Sequence, residues 1–229
     1  MIYMIQVITC KPDELNIDRH EVLRYLGYGR DADCSDILDA VEKCIAEIQP
    51  KTTPRAVYDV FDIHEGSGGV LSLGFTETGS ESLKRNLKDC EKIILFTATV
   101  GIETDRIIQR YSHVSPSNAL IAQAVGATVI EAWCDFLCEY FAAEAESMGY
   151  HLRPRFSPGY GDFPLEVQKR IFSVLDCNRK IGVSLTDSLL MVPGKSVSAI
   201  VGLSRENLHC VSSGCEACEN INCEYRRGK

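Results

Sequence analysis

Apolar residues recur at helical spacing over Ile37, Leu38, Val41, Cys44, Ile45 and Ile48, and they predict one face of a helix from Ser35 to Gln49. Pro50 and Pro54 bracket its exit. Upstream, Asp18-Arg19-His20-Glu21 has capping-box spacing and opens a helix that Gly27 stops. The pattern then turns to that of strands. Residues 55–63 are rich in Val, Tyr, Phe and Ile, and residues 70–75 follow beyond Gly66-Ser67-Gly68-Gly69, so the two stretches read as a hairpin. A helix over 80–89 leads into an apolar strand over 93–98, and Thr99-Val100-Gly101 leads into a helix over 102–111.

Ser117-Asn118 reads as the cap of the longest helix, which ends near Met148 with Gly149 as its stop and would span ~45 Å. Its many alanines keep it slim, and Gly126, costly in mid-helix by about 1 kcal/mol, implies close approach by another element. Phe163-Pro164 starts a helix over 165–175. Strands over 189–192 and 197–203 close the pattern, joined by a Pro193-Gly194 turn. With no repeat or low-complexity linker, the expected fold class is α+β. It is a single domain over 1–204, with a mainly antiparallel twisted sheet, one long helix and several shorter ones, followed by a short Cys-rich tail over 205–229.

Composition narrows the function. The net charge of −8 argues against nucleic acid as a partner, because backbone binding needs clustered Lys and Arg. The apolar N-terminus is short and lacks a basic n-region, which favours a first strand over a signal peptide. The stretch from Ala119 to Phe141 carries Gln123, Glu131, Asp135 and Glu139, too polar for a bilayer, so no membrane role is expected. Eleven cysteines without a secretion signal point to a reducing, cytoplasmic setting. Gly66-Ser67-Gly68-Gly69 lacks the Gly-Lys-Ser/Thr ending of a phosphate loop and reads as a bare turn.

The segment with most chemistry is Arg155-Phe156-Ser157-Pro158-Gly159-Tyr160-Gly161-Asp162-Phe163-Pro164. Pro158 fixes φ and Gly159 accepts a positive φ, so the pair reads as the centre of a type II turn with amides facing outward. Arg155 offers a planar fork that can grip a carboxylate bidentately, and Tyr160 adds a phenol. A Pro-Gly loop pinned by a structural Arg and Tyr has the same local pattern. Downstream come Gly182-Val183-Ser184-Leu185-Thr186-Asp187-Ser188 and Pro193-Gly194-Lys195-Ser196-Val197-Ser198.

The order Arg-x-x-x-Gly-Tyr, helix, Gly-x-x-Leu-Thr-x-Ser, Pro-Gly-x-Ser-Val-Ser closely resembles the reactivation domain of cobalamin (vitamin B12)-dependent methionine synthase, from about Ala119 to about Gly202. The resemblance implies S-adenosylmethionine binding. It places Arg155 on the ligand carboxylate, Ser157 where backbone meets ligand, Gly159 at a close approach and Tyr160 near the reacting methyl. It places Glu131, on the long helix, against the ligand's polar groups; by amphipathicity alone Glu131 is as well explained as a solvent-facing glutamate. Thr186, Ser188, Ser196 and Ser198 read as structural hydrogen-bonders in strands. An N-terminal acidic contact and a late tyrosine contact of the family have no counterpart that can be placed, and residues 1–110 show no resemblance.

In that family the domain orients the sulfonium methyl toward a corrinoid whose cobalt has been oxidised, which is proximity rather than acid–base catalysis, so no catalytic residue is assigned. The chain has no Asp-x-His-x-x-Gly run, so cobalamin would come with a partner, a corrinoid-binding methionine synthase or related methyltransferase. The chain would then be part of a methyltransferase system rather than a complete enzyme. A flavodoxin or ferredoxin is the expected electron donor.

Cys210-x4-Cys215-x2-Cys218-x4-Cys223 has the density of a metal site, an iron–sulfur cluster or zinc, with the need for a low-potential electron favouring the cluster. Free thiols in a tail are the plain alternative. Two other functions fit the same residues. One is an independent S-adenosylmethionine-dependent methyltransferase, which would need a general base near Tyr160. The other is a metal-binding electron-transfer or interaction module.

Overall fold

Residues 93–100 are buried without a break, so both faces of their strand are covered and the chain must supply a layer on each side. The computed structural model describes residues 5–29 and 34–206. In chain order its elements are β1 (Gln6–Thr9), α1 (Arg19–Tyr25), α2 (Ser35–Ile48), β2 (Arg55–Asp62), β3 (His64–Glu65), β4 (Leu71–Ser72), β5 (Glu77–Thr78), α3 (Glu81–Asn86), β6 (Cys90–Thr99), α4 (Glu103–Val114), α5 (Pro116–Ser147), β7 (His151–Leu152), α6 (Val167–Val174), α7 (Cys177–Ile181), β8 (Ser184–Leu185), β9 (Met191–Val192) and β10 (Ser196–Ser204). The central sheet has five strands in the order β1-β2-β6-β10-β7, every neighbouring pair antiparallel. The expected α+β class and antiparallel sheet are what the chain adopts.

Alternate residues of β6 and β10 feed two apolar clusters. Ile94, Phe96, Ala98, Ala199, Val201 and Leu203 pack with residues of α1, α2, α4 and α5. Ile93, Leu95 and Ile200 pack with Leu83, Ile171, Cys177 and Ile181 of α3, α6 and α7. By length and composition α5 could cross a membrane, yet Trp133, Cys134 and Leu137 are fully buried against the sheet, the signature of a core helix.

Several local expectations shift. The helix predicted over 35–49 is α2, with Val41, Cys44, Ile45 and Ile48 buried, while Leu38 is exposed at the margin of the face. The longest helix starts earlier than Ser117-Asn118: Ser115 is its N-cap and Pro116 its first residue, where a missing N–H costs nothing. Residues 70–75 do not pair with β2. The hairpin runs instead between β3 and β4, inside a small sheet completed by β5, because β2 is taken on both edges by β1 and β6. Thr186 and Ser188 lie in the turn between β8 and β9, their hydroxyls 2.9 Å apart, and not in strands. Ser196 is buried in β10 and donates to the Pro193 carbonyl at 2.8 Å. The close approach expected at Gly126 is present: a Cβ there would lie 2.8 Å from Thr104 Cγ2 and 2.9 Å from Lys195 Cε.

Candidate functional site

The segment after α5 runs back along the outer edge of β10. Leu152 and His151 pair with Leu203 and Ser204, the Arg153 amide donates to the Gly202 carbonyl at 2.8 Å, and Phe156 exchanges both backbone hydrogen bonds with Ile200 at 2.9 and 2.8 Å. Phe156 packs into the cluster under α6 and α7. Its neighbour Arg155 points to the opposite face, as the pleat requires, and there it meets α5. The register of the sheet thus joins residues that are far apart in the chain.

Arg155 Nη2 donates to Glu131 Oε2 at 3.1 Å and to Asp135 Oδ1 at 2.8 Å. Glu131 and Asp135 are one helical turn apart and share a face, which lets both reach one nitrogen. The Arg155 and Glu131 side chains retain 22% and 32% of their exposure, whereas Asp135 retains 62%. Sequence reasoning put Arg155 and Glu131 at one site, and here they are in direct contact. Asp135 escaped it, although its i+4 spacing from Glu131 was a readable signal. Only Nη2 of the guanidinium is engaged: Nε and Nη1 donate to nothing among the described residues. Cys134 and Cys138 lie beside this cluster. Burial pushes the Cys138 thiol up to about 11 and raises that of Cys134 as well, so both stay neutral thiols at physiological pH.

Beyond Phe156 the chain makes the expected type II turn. Gly159 has φ +93°, and the Tyr160 amide donates to the Ser157 carbonyl at 3.2 Å. The Ser157 amide has no acceptor among the described residues. Tyr160 is 65% exposed, with its ring centroid 6.3 Å from that of Phe156. The turn is closed by Gly159 N donating to the Phe163 carbonyl at 2.8 Å. Ser157, Gly159 and Tyr160 therefore form an open rim of backbone and phenol on the far side of Phe156 from α5.

Asp162 fixes this rim from below, a role with no signal in the local sequence. It accepts from the Ser80 hydroxyl at 2.6 Å and from the Glu81 and Ser82 amides at 2.8 and 3.0 Å, joining the loop to the start of α3. The Ser80 hydroxyl and then the two amides hold the carboxyl well below the usual carboxylate range. A depressed folded value means that the clamp contributes fully above the ordinary 3.8 and is lost as pH falls through the folded value. We expect Asp162→Ala to speed hydrogen exchange at the Glu81 and Ser82 amides at neutral pH. Wild-type amides should show the same change only in strong acid; identical exchange in the two proteins would mean that the clamp does not order the loop.

Residues 83–209 match the family model described as the vitamin B12 dependent methionine synthase activation domain. The chain belongs to that family. The match spans β6, α4, α5, the Arg155–Tyr160 loop and β10, so both halves of the site lie within the activation domain. A solved structure described as the MetH reactivation domain bound to AdoHcy superposes with a TM-score of 0.67 at 17% identity, covering 90% of this chain and 80% of that chain. At this identity the likeness shows the fold, and its coverage carries the activation-domain fold into the N-terminal region that precedes the family match.

Cys210, Cys215, Cys218 and Cys223 lie outside the described residues. Among the described residues no group of three His, Cys, Asp or Glu side chains is arranged to hold a metal ion.

Proposed function

We propose that this activation domain binds S-adenosylmethionine at the Arg155–Tyr160 loop and supports reductive methylation of the corrinoid of a cobalamin-dependent methyltransferase of the methionine synthase type. The observation that carries the reading is the half-used guanidinium of Arg155. Its Nη2 is fixed by two carboxylates, while Nε and Nη1, on opposite sides of the planar group, keep N–H donors in a half-buried position. A charge-assisted N–H donor from a permanently charged group suits a carboxylate. The open amide of Ser157 and the exposed Tyr160 supply a backbone and an aromatic contact further along the same loop.

When bound, the sulfonium ligand supplies an electrophilic methyl group. The chain's own residues hold and orient: Arg155 takes the carboxylate, Glu131 a polar group of the ligand, and Gly159 allows backbone to come close. None of these is a general base or nucleophile, which suits a task of positioning. The corrinoid comes from a partner, and the electron from a flavodoxin or ferredoxin or from a metal centre on Cys210, Cys215, Cys218 and Cys223. This chemistry belongs in the cytoplasm, where thiols stay reduced.

Calorimetric titration with S-adenosylmethionine tests the site. Arg155→Ala is expected to weaken binding by about 1.5–3 kcal/mol through loss of charge-assisted hydrogen bonds. Arg155→Lys should recover only part of that, since an ammonium cannot hold Glu131 and Asp135 from one nitrogen while other fixed donors face the ligand. Equal affinities would remove Arg155 from the site, and absence of wild-type binding would overturn the whole reading.

A further inference from the structure

We infer that α3 is a brace that holds the Arg155–Tyr160 loop in its ligand-binding shape, with Asn86 and Asp162 as positioning residues at its two ends. The inference rests on the proposed S-adenosylmethionine site and deepens it.

Among the described residues, 157–161 make hydrogen bonds only to one another and to Phe163. A turn closed on itself keeps its curvature, but its direction is set where the chain on either side is held. Phe156 is held by Ile200, and α3 holds the rest. At the C-terminal end of α3, Asn86 Nδ2 donates to the Pro154 carbonyl at 3.2 Å. Just beyond it, the Lys88 carbonyl accepts from Arg153 Nη2 at 3.1 Å. At the N-terminal end, the Ser80 hydroxyl and the Glu81 and Ser82 amides converge on Asp162. One helix about 9 Å long thus grips the chain immediately before Arg155 and immediately after Gly161.

The brace is itself firmly seated. Ser80 caps it by accepting from the Leu83 amide at 3.1 Å, and Leu83 and Leu87 are buried in one cluster with Phe163 and Ile171. Gly161 rests directly on it: a Cβ there would lie 2.6 Å from Ser82 Oγ and 2.9 Å from Ser82 Cβ. Arg155, Ser157, Gly159 and Tyr160 all fall inside the braced span. A loop already in its binding shape spares the ligand the entropy of ordering it. Where only a fraction of molecules hold that shape, apparent affinity falls by the same fraction.

The test combines calorimetric titration with S-adenosylmethionine, amide hydrogen exchange and urea unfolding on wild type, Asn86→Ala, Asp162→Ala and Gly161→Ala. Each variant should still unfold cooperatively yet bind about tenfold more weakly, the loss expected if one molecule in ten keeps the shape. Exchange at the Gly159 and Tyr160 amides should quicken in the ligand-free variants, and saturating S-adenosylmethionine should slow it again. Combining Gly161→Ala with Ser82→Gly removes the clash but keeps the Ser82 amide for Asp162, so it should regain most of the lost affinity. Wild-type affinity and wild-type exchange in all three variants would overturn the inference and leave the binding site standing. Affinity losses that merely follow lost global stability would overturn it as well. Failure of wild type to bind S-adenosylmethionine would overturn the site and the inference together.

Discussion

Trp133→Ala is expected to lower the free energy of unfolding by about 3–5 kcal/mol. The indole is fully buried, its ring 5.4 Å from that of Phe136, and its Nε1 donates to the Arg55 carbonyl at 3.2 Å. That bond ties α5 to the start of β2, so truncation removes both a large apolar volume and a link between helix and sheet. On the proposed function the position also bears on ligand binding. Trp133 lies between Glu131 and Asp135 in the chain and faces the sheet while they face Arg155, so a shift of α5 moves the carboxylate pair. Urea unfolding would measure the first effect and calorimetry with S-adenosylmethionine the second. A loss of stability below about 1 kcal/mol would show that the helix settles around the gap. Retained ligand affinity in a destabilised variant would show that the carboxylates are positioned independently of this anchor.

The second large effect concerns metal. Anaerobically purified protein is expected to hold one centre on Cys210, Cys215, Cys218 and Cys223, and replacing any one of them with serine should strip it. Thiolates converge only when a cation offsets their repulsion, so the site forms as a whole or not at all. An iron–sulfur cluster would colour the protein brown and bleach with dithionite. Zinc would leave it colourless, with about one equivalent per chain by elemental analysis. Protein free of both metals, with all four thiols reactive, would end the metal assignment and leave the electron to a separate flavodoxin or ferredoxin.

Much of the fold could be read from the chain because its helices carry local signals. The face of α2 and the Gly149 stop of α5 are written in consecutive residues. The type II turn at Pro158-Gly159 is legible for the same reason: two residues determine it. Pairing of strands is not local. Nothing within residues 55–75 says that β2 has both edges filled by β1 and β6, and so local pattern alone pairs residues 70–75 with the wrong strand. Ser115 is hard to read as the cap because the Ser117-Asn118 pair also offers capping side chains, and only Pro116 at the first position distinguishes them.

The site shows the same division. Arg155, Ser157, Gly159 and Tyr160 sit in one short motif, so the sequence alone groups them. Glu131 came from the family resemblance, since amphipathicity left it equally explained by solvent. Its ion pair with Arg155 depends on the register that lays residues 151–156 along β10, which no local pattern encodes. Asp162 binds a helix start some eighty residues earlier in the chain, so its clamp could be seen only once the fold had brought them together.

The root of the loop has a second consequence. β7 is only two residues long, and beyond it the backbone of Phe156 occupies the amide and carbonyl of Ile200. This stretch covers the free side of β10, where an uncovered ladder would invite pairing with another chain. On the proposed function, any movement that admits the ligand would fall to the turn at Ser157–Tyr160 rather than to residues 151–156, which are hydrogen-bonded to β10. Variants that loosen the root rather than the turn should reveal themselves first as self-association of the protein, before any loss of affinity is measured.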